Sequence, residues 1–89
     1  MKPCVYILEI RNGEYYIGST NNINRRLKEH RLGNHAGARF FKDIELLLVQ
    51  EYETLILARR IESRLKKFKS RKIINKIIKD GEIKINLGP

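Results

Sequence analysis

Two tyrosines near the amino end of the chain stand in similar short motifs, VYI at Tyr6 and YIG at Tyr16. A tyrosine phenol has an ordinary pKa of about 10, which makes it a weak base at neutral pH. Nearby cations or a metal-bound water favour the phenolate and make it usable. We therefore take Tyr6 as a candidate general base and Tyr16 as a residue that hydrogen-bonds a water molecule or a phosphate. The simpler alternative is that Tyr6 is an aromatic residue packed in a strand.

Arg26 and His30 are spaced at i and i+4, so they lie on one face of a helix, about one turn apart. A guanidinium stays charged at any working pH and can hold two phosphate oxygens at once. His30, taken alone, is equally consistent with a surface residue near the carboxyl end of a helix, where a cation is favoured. Arg25 and Lys28 point away from this face, and we expect them to meet backbone phosphates or solvent.

Glu62 is the candidate metal ligand. On a helical wheel it falls between Leu55 and Ala58, at the border of an apolar stripe, so its carboxylate can face a sheet rather than water. Hard divalent cations prefer oxygen ligands, and Mg²⁺ commonly keeps several waters around one or two carboxylates. A single Mg²⁺ or Mn²⁺ ion is therefore expected, and the absence of an evident second acidic ligand argues against a two-metal mechanism. The alternative is an ordinary surface ion pair between Glu62 and Lys66.

The charge of the chain favours a polyanionic partner. Its 89 residues include 19 Lys and Arg against 10 Asp and Glu, a net charge of +9. Such an excess on a small body is typical of nucleic-acid binding, although a solvated basic face is the ordinary explanation for any single lysine. The candidate nucleic-acid-binding residues are Gly18, Arg25, Arg39, Arg59, Lys66 and Lys69.

Composition also limits the class of protein. A hydrophobic fraction of 42% is enough for a core, and the length suits one domain over residues 1–89, with its core at about 4–79. The single cysteine, Cys4, excludes an internal disulfide and a cysteine-based zinc site. No apolar run approaches the ~20 residues that cross a bilayer, and the first apolar stretch is too short for a signal peptide. We therefore expect a cytoplasmic protein with no membrane association and no obligate protein partner.

The elements that must position these residues follow from β-branched and aromatic runs and from apolar residues at helical spacing. Thr20 or Asn21 is expected to cap the first helix. The continuous apolar middle of the strand at 44–52 predicts that it is central and buried. The order β-β-α-β-α-α predicts a small α+β fold, with a three-stranded antiparallel sheet flanked by helices. The predicted elements are strands over Cys4–Arg11, Glu14–Ser19 and Ile44–Tyr52, and helices from about Asn22 to Arg31, from Thr54 to about Ser70, and over 73–78 with an end at Gly81.

The ordered set of these motifs resembles the GIY-YIG endonuclease superfamily, and is closest to its small bacterial members that consist of that domain alone. The resemblance extends from about Cys4 to Lys79 and covers most of the chain. A lone YIG would be weak, whereas the whole ordered set is specific. It comprises the two tyrosine motifs, the blocks YIGST at 16–20 and RRLKEH at 25–30, the GAR-F segment at 37–40, and a glutamate in the second long helix.

The resemblance implies roles for the candidate residues. Tyr6 would be the general base, with Tyr16 lining the same site. Arg26 would clamp the scissile phosphate, and His30 would interact with the catalytic tyrosine or with the attacking water. Glu62 would hold the single divalent ion.

The resemblance also makes a geometric prediction about the first hairpin. A tight two-residue turn at Asn12-Gly13 would place Tyr6 and Tyr16 on opposite faces of the sheet. A three-residue loop or a bulge restores the same face. We therefore expect Glu14 to belong to the turn, or a bulge to lie nearby, with Tyr15 facing the other layer and packing there.

Two positions depart from the family pattern, and the role of a third is open. Val5 stands where the family name has glycine, a common substitution. Many relatives carry a basic residue three places after the first tyrosine, as a helper for phenolate formation, whereas this chain has Glu9. Some relatives use an asparagine late in the domain. Asn75 could take that place, although a solvent-facing polar residue is the simpler expectation.

These observations predict a metal-dependent DNA endonuclease with a tyrosine general base and low sequence specificity, of a kind used in DNA repair or recombination. The first alternative is a non-catalytic nucleic-acid-binding module on the same fold. The second is a small basic adaptor for an acidic protein, which would leave the tyrosine, arginine and glutamate set unexplained.

Overall fold

The computed structural model of the chain describes residues 2–10, 13–32, 44–68 and 70–85. The order of elements along them confirms the predicted α+β fold. The strands are β1 (Cys4–Glu9), β2 (Tyr15–Thr20) and β3 (Glu45–Glu51), and the helices are α1 (Ile23–Leu32), α2 (Leu55–Phe68) and α3 (Arg71–Asp80). None of the helices in these ranges has the length and apolar character needed to cross a membrane.

The sheet is antiparallel with the order β2-β1-β3, so the first strand is the central one. The prediction that the third strand is central was wrong. Both strands carry a continuous apolar run, and that pattern alone could not rank them. In β1 every residue from Cys4 to Leu8 is buried, whereas Leu46 and Val49 of β3 are 38% and 39% exposed.

The two faces of β1 pack against different helices. Val5 and Ile7 face a core that α2 and α3 build with Ala58, Ile61, Leu65 and Ile74. Tyr6 and Leu8, which point the other way, pack on the side of α1 with Leu27. The sheet therefore lies between α1 on one face and α2 with α3 on the other, and Tyr6 belongs to the α1 face.

The connection between β1 and β2 is one residue longer than a tight turn. The N–H of Ile10 donates to the carbonyl of Glu14 at 2.8 Å, so this pair of residues encloses three positions. Gly13 has a φ of +76°, a conformation that favours glycine. The expected three-residue loop agrees with this pairing, and Glu14 lies outside β2, in the connection between the strands. Residues 11 and 12 themselves lie outside the described ranges.

The register that follows puts the two motif tyrosines on one face. Tyr6 is paired with Gly18 and Leu8 with Tyr16, so Tyr6 and Tyr16 are diagonal neighbours on the α1 side. Tyr15 points to the opposite face and packs against the other core, as predicted.

The helices begin at capping residues that satisfy their first N–H groups. The cap of α1 is Asn22, whose Oδ1 accepts the N–H of Arg25 at 3.1 Å, and not Thr20 or Asn21 as predicted. Thr20 instead accepts the N–H of Asn22 itself. Thr54 caps α2 through Leu57, as expected.

Helix α3 has a polar cap at each end. The side chain of Ser70 accepts the N–H of Ile73 at its start. Gly81, with a φ of +73°, donates its N–H to the carbonyls of Ile77 and Ile78 at its end. The end predicted at Gly81 is confirmed.

Candidate active site

Gly18 makes room for the candidate base. The ring of Tyr6 lies across the backbone of β2 at this position, so a Cβ atom on Gly18 would lie 2.5 Å from the Tyr6 hydroxyl oxygen and 2.6 Å from its Cζ. Real Cβ contacts are not that short, and any other residue would therefore push the phenol away. This packing accounts for the glycine of the YIG motif, while a direct contact between Gly18 and nucleic acid stays a prediction.

Tyr6, Tyr16 and His30 form an aromatic cluster between β1, β2 and α1. The Tyr6 and Tyr16 ring centroids are 6.2 Å apart, and the His30 ring meets Tyr16 edge-on at 5.4 Å. The Tyr6 hydroxyl lies 3.3 Å from His30 Nε2, within hydrogen-bond distance. The prediction that these residues share one site agrees with this arrangement.

His30 is fully enclosed, with an exposed fraction of 0%. It lies one turn beyond Leu27 of the buried face of α1, and this periodicity turns it toward the sheet. The alternative that His30 is a surface residue stabilised by the helix dipole was wrong. A histidine buried against a phenol can exchange a proton with it.

The surroundings of Tyr6 raise the pKa of its phenol well above its ordinary value. Burial is the largest cause, because the side chain is only 1% exposed. The neighbouring Tyr16 raises the pKa further, the Arg26 guanidinium lowers it, and the Glu62 carboxylate raises it again. Among these causes, Arg26 is the one cation that favours the phenolate, as expected. The causes that raise the pKa of Tyr6 outweigh it, so the protonated phenol is favoured.

Arg26 lies on α1 next to this cluster and is half-buried. Its Nε is 3.9 Å from a carboxylate oxygen of Glu29, too far for a hydrogen bond. That Nε is buried and has no hydrogen-bond partner within the described part of the chain. A buried donor without an acceptor is costly, and a phosphate oxygen is the kind of group that would complete it.

Glu62 reaches β2 from the other side of the sheet. The Ser19 hydroxyl donates to its Oε1, and Lys66 Nζ lies 2.6 Å from its Oε2. Glu62 is only 20% exposed at its side chain, because α2 packs against the strand there. Ser19 follows Gly18 directly, so consecutive residues of β2 contact Tyr6 and Glu62.

Ser19 is a site residue that sequence reasoning missed. It belongs to the YIGST block, but its hydroxyl looked like one polar atom among several at the end of a strand. The signal lay in strand alternation: once Gly18 faces Tyr6, Ser19 must face the layer that contains α2.

The oxygen donors at Glu62 fit one hard divalent cation. The carboxylate and the adjacent Ser19 hydroxyl are the ligand type that Mg²⁺ and Mn²⁺ prefer, with water completing the shell. The Lys66 ammonium already occupies a cationic position beside Oε2. The residues that the structure describes contain no group of three or more His, Cys, Asp or Glu side chains arranged to hold a metal. Glu62 is thus the protein carboxylate on which a metal site here would depend.

The structure describes some of the remaining predicted nucleic-acid-binding residues and not others. Arg25 is exposed on α1, where its guanidinium donates to Asn21 Oδ1 at 3.0 Å. Arg59 is exposed on α2 and lines a shallow depression together with Glu62 and Lys66. Arg39, in the GAR-F segment, and Lys69 both lie outside the described residues.

Helix α3 is fastened to the start of β2 by polar contacts. The Tyr15 hydroxyl donates to Asn75 Oδ1. The Arg71 guanidinium lies 4.1 Å from the Tyr15 ring centroid and donates to the Gly13 carbonyl at 2.6 Å. Asn75 is exposed, as the simpler expectation had it, and its side chain also has Tyr15 as a partner. Glu9 pairs with Tyr15 and points away from the Tyr6 face, so it offers that phenol no help.

Comparison with known proteins agrees with this geometry. The family model of the GIY-YIG catalytic domain matches residues 2–77. A UPF0213 protein of Xanthomonas axonopodis pv. citri is 37% identical over 71 residues, 75% of this chain and 68% of that protein. A UPF0213 protein of Streptococcus pneumoniae is 35% identical over 71 residues, 76% of this chain and 70% of that protein.

A viral relative matches a shorter stretch. A UPF0213 protein of Autographa californica nuclear polyhedrosis virus is 48% identical over 40 residues, 45% of this chain. The match covers 36% of the viral protein, so the chain spans about a third of that relative's length. No solved structure matches the chain significantly.

Proposed function

This chain belongs to the GIY-YIG family, and we propose that it is a metal-dependent endonuclease that hydrolyses phosphodiester bonds in DNA with low sequence specificity. The observation that carries the proposal is the set of groups around Tyr6: its hydroxyl lies beside His30 Nε2, and the charges of Arg26 and Glu62 both act on its phenol. Tyr6 and Glu62 also contact consecutive residues of β2, Gly18 and Ser19. Hydrolysis of a phosphodiester needs a base for water, positive charge at the phosphoryl oxygens and help for the leaving oxygen. Tyr6 with His30 is the candidate for the base, Arg26 for the positive charge and Glu62, as a metal ligand, for the help to the leaving oxygen.

The proton of the attacking water passes through Tyr6 to His30. Because burial raises the pKa of Tyr6, its phenol is protonated in the resting protein at neutral pH. Tyr6 Oη can accept a proton from water only as it gives its own proton away. His30 Nε2, 3.3 Å from that oxygen, is the acceptor in reach.

Arg26 holds the phosphoryl group. Its buried Nε lacks a partner in the described ranges, and a non-bridging phosphate oxygen supplies the missing acceptor. The guanidinium also lowers the pKa of Tyr6. The same charge therefore favours loss of the phenol proton and stabilises negative charge on phosphorus.

Glu62 would hold the divalent ion, and Ser19 fixes the direction of its carboxylate. An ion bound there would supply Lewis-acid stabilisation of the leaving oxygen. Glu62 contacts the same strand that Tyr6 crosses, which supports a reacting phosphate within reach of both groups. Either Mg²⁺ or Mn²⁺ suits an oxygen ligand of this type.

The second candidate is a nucleic-acid-binding module without catalysis. The observation that favours it is the enclosure of Tyr6, whose phenol is 1% exposed and has a raised pKa. A phenol that stays protonated and out of contact with water packs in the core and does not take a proton from water. The basic surface, with a net charge of +9, would still hold DNA.

Cleavage of a labelled substrate panel separates the two candidates. Single-stranded, duplex and branched DNA, with RNA beside them, are incubated with Mg²⁺, Mn²⁺ or chelator. The variants are Tyr6→Phe and Glu62→Gln, with Tyr52→Phe and Glu51→Gln as matched controls elsewhere in the fold. We expect cutting that requires metal, that is lost in both site variants and that persists in both controls. Binding without cutting under every metal would make the protein a binding module.

A further inference from the structure

Lys66 contacts the carboxylate that the proposed metal would use. Its Nζ lies 2.6 Å from Glu62 Oε2, while the Ser19 hydroxyl donates to Oε1. Both oxygens of Glu62 thus have a partner inside the protein, and the partner of Oε2 carries a positive charge. A divalent ion that used Oε2 must displace this ammonium group, or bind beside it against repulsion between like charges.

The two partners of Glu62 differ in how easily they leave. The Lys66 side chain is 53% exposed and ends in a flexible four-carbon stem, so it can turn into solvent without moving α2. An exposed lysine pair of this kind opposes displacement by only about two- to fivefold in affinity. Ser19, fixed in β2, stays and keeps the carboxylate directed at the strand.

The surroundings indicate where the released lysine goes. Arg59 and Lys67 line the same shallow depression as Lys66 and Glu62, and both are exposed cations. They repel an ammonium group that has lost its carboxylate. A phosphate of bound nucleic acid offers it the opposite charge, and this part of α2 is one of the surfaces where phosphates would lie.

We infer that Lys66 is a displaceable counter-ion of Glu62, which weakens metal binding by the free protein and is drawn away when nucleic acid binds. Metal and nucleic acid then bind with positive coupling, because each removes an obstacle to the other. The inference rests on the proposed function, since it requires Glu62 to be the metal ligand. It makes Lys66 a positioning residue that acts on the metal through Glu62.

The test measures Mn²⁺ affinity by electron paramagnetic resonance, a readout independent of cleavage. All proteins carry Tyr6→Phe, so that nucleic acid added later stays intact. The test variant is Lys66→Met, and the matched control is Lys67→Met, the same loss of charge about 100° further round the helix. Lys66→Arg, which keeps a cation beside Glu62, is the conservative variant.

Without nucleic acid, Lys66→Met should bind Mn²⁺ about two- to fivefold more tightly than the parent protein, which carries Tyr6→Phe alone. Lys67→Met should gain less, and Lys66→Arg should match the parent. A short oligonucleotide should then raise the Mn²⁺ affinity of the parent and of Lys67→Met by a larger factor than that of Lys66→Met. Unchanged or weaker Mn²⁺ binding by Lys66→Met overturns the inference.

Glu62→Gln distinguishes this failure from failure of the proposed metal site. If Glu62→Gln abolishes Mn²⁺ binding while Lys66→Met leaves the affinity unchanged, the metal site stands and the inference alone is wrong. If Mn²⁺ binds the parent and Glu62→Gln equally well, or binds none of the proteins, Glu62 is not the metal ligand. The proposed metal site and the inference about Lys66 are then both wrong.

Discussion

Tyr6 and Glu62 reach the same dipeptide of β2 from opposite faces of the sheet. Tyr6 crosses the strand at Gly18 on the α1 side, and Glu62 accepts a hydrogen bond from Ser19 on the α2 side. The strand lies at an edge of the sheet, and the glycine leaves no side chain between the two groups. The phenol and the carboxylate therefore lie in different layers and are joined through consecutive residues of one edge strand.

Gly18→Ala should destabilise the protein and displace Tyr6. The new methyl group would overlap the phenol, and overpacking of this kind costs about 1–3 kcal/mol in free energy of unfolding. Denaturant unfolding measures the loss. Gly81→Ala is the control, because a Cβ atom at that position meets no neighbouring atom. Its cost of about 1 kcal/mol in free energy of unfolding comes from the positive φ alone, which alanine adopts less readily than glycine.

The origin of that loss can be isolated with a second background. In Tyr6→Leu the ring is absent, so the further change Gly18→Ala should cost less than it does beside tyrosine. An equal cost in both backgrounds would mean that Gly18 is required for a reason other than the Tyr6 ring.

Much of this arrangement follows from the sequence, and what does not has a physical cause. Local patterns predicted the element order, the start of α2, the end of α3 and the face of α1 that bears Arg26 and His30. The end of α2 and the start of α3 were placed wrongly, because Ser70 caps α3 rather than ending α2. The central position of β1 was missed because the apolar run of β3 is as continuous as its own. Burial on both faces depends on which strand gains two neighbours, and that is decided by chain topology rather than by any one segment.

The candidate site divides in the same way. Residue types and spacing predicted Tyr6, Arg26, His30 and Glu62, but could not predict the pKa shift of Tyr6, which follows from how closely α1 covers it. The role of Ser19 was hidden because it depends on a register between β2 and α2 that are far apart in sequence. Asn75 is exposed, as expected, but its hydrogen bond with Tyr15 could not be predicted because that partner lies on a strand far away in sequence.

Tyr6 should titrate late. Its pKa is raised in the folded protein, so its phenol ionises at higher pH than the unfolded value of about 10. The stability that this group contributes is fully present below pH ~10 and is lost as the pH rises through the folded pKa. Phenolate absorbance should show delayed tyrosines among the four in the chain.

Two of those tyrosines have a raised pKa, so variants are needed to assign them. Tyr52 is also shifted upward by burial. Tyr6→Phe and Tyr52→Phe should each remove one late step, and Tyr6→Phe should flatten the alkaline fall in free energy of unfolding. If Tyr6→Phe instead removes a step of the absorbance titration at pH ~10, the phenol of Tyr6 is not buried as the structure has it.

Tyr6→Phe and His30→Gln should not have additive effects on catalysis. If the water proton passes from Tyr6 Oη to His30 Nε2, removing either member breaks the same path, and each should lower kcat by roughly 10²–10⁴-fold. The double variant should lose no more than the worse single variant. Single-turnover cleavage rates measure this, with DNA affinity recorded in parallel. Additive losses would assign the two residues to separate steps.

Ser19→Ala should weaken metal binding while leaving the charge of the site unchanged. The serine donates to Glu62 Oε1, and loss of a group that orients a metal ligand typically costs about 10–100-fold in metal affinity, so Mn²⁺ affinity should fall by roughly tenfold or more. Ser63→Ala is the matched control, because Ser63 is exposed beside Glu62 on α2. Equal Mn²⁺ affinity in Ser19→Ala and Ser63→Ala would remove Ser19 from the site.

Nucleic-acid affinity should depend steeply on salt, and single residues should change the slope. If Z phosphates are contacted, log K falls against log salt with a slope near −0.9Z for duplex and −0.7Z for single strands. Arg26→Gln and Arg59→Gln should each make the slope shallower by about one phosphate contact. Arg60→Gln, the same change at the neighbouring exposed position of α2, serves as the control.

The two arginines should differ in a second respect. Arg26 is half-buried beside Tyr6, so its loss should lower the cleavage rate even when DNA is saturating, because its charge acts on the reacting phosphate. Arg59 is exposed on α2, and its loss should be overcome by more DNA. Fluorescence anisotropy across a salt series and cleavage at saturating DNA separate the two effects. A slope unchanged in both variants would assign the phosphate contacts to residues other than Arg26 and Arg59.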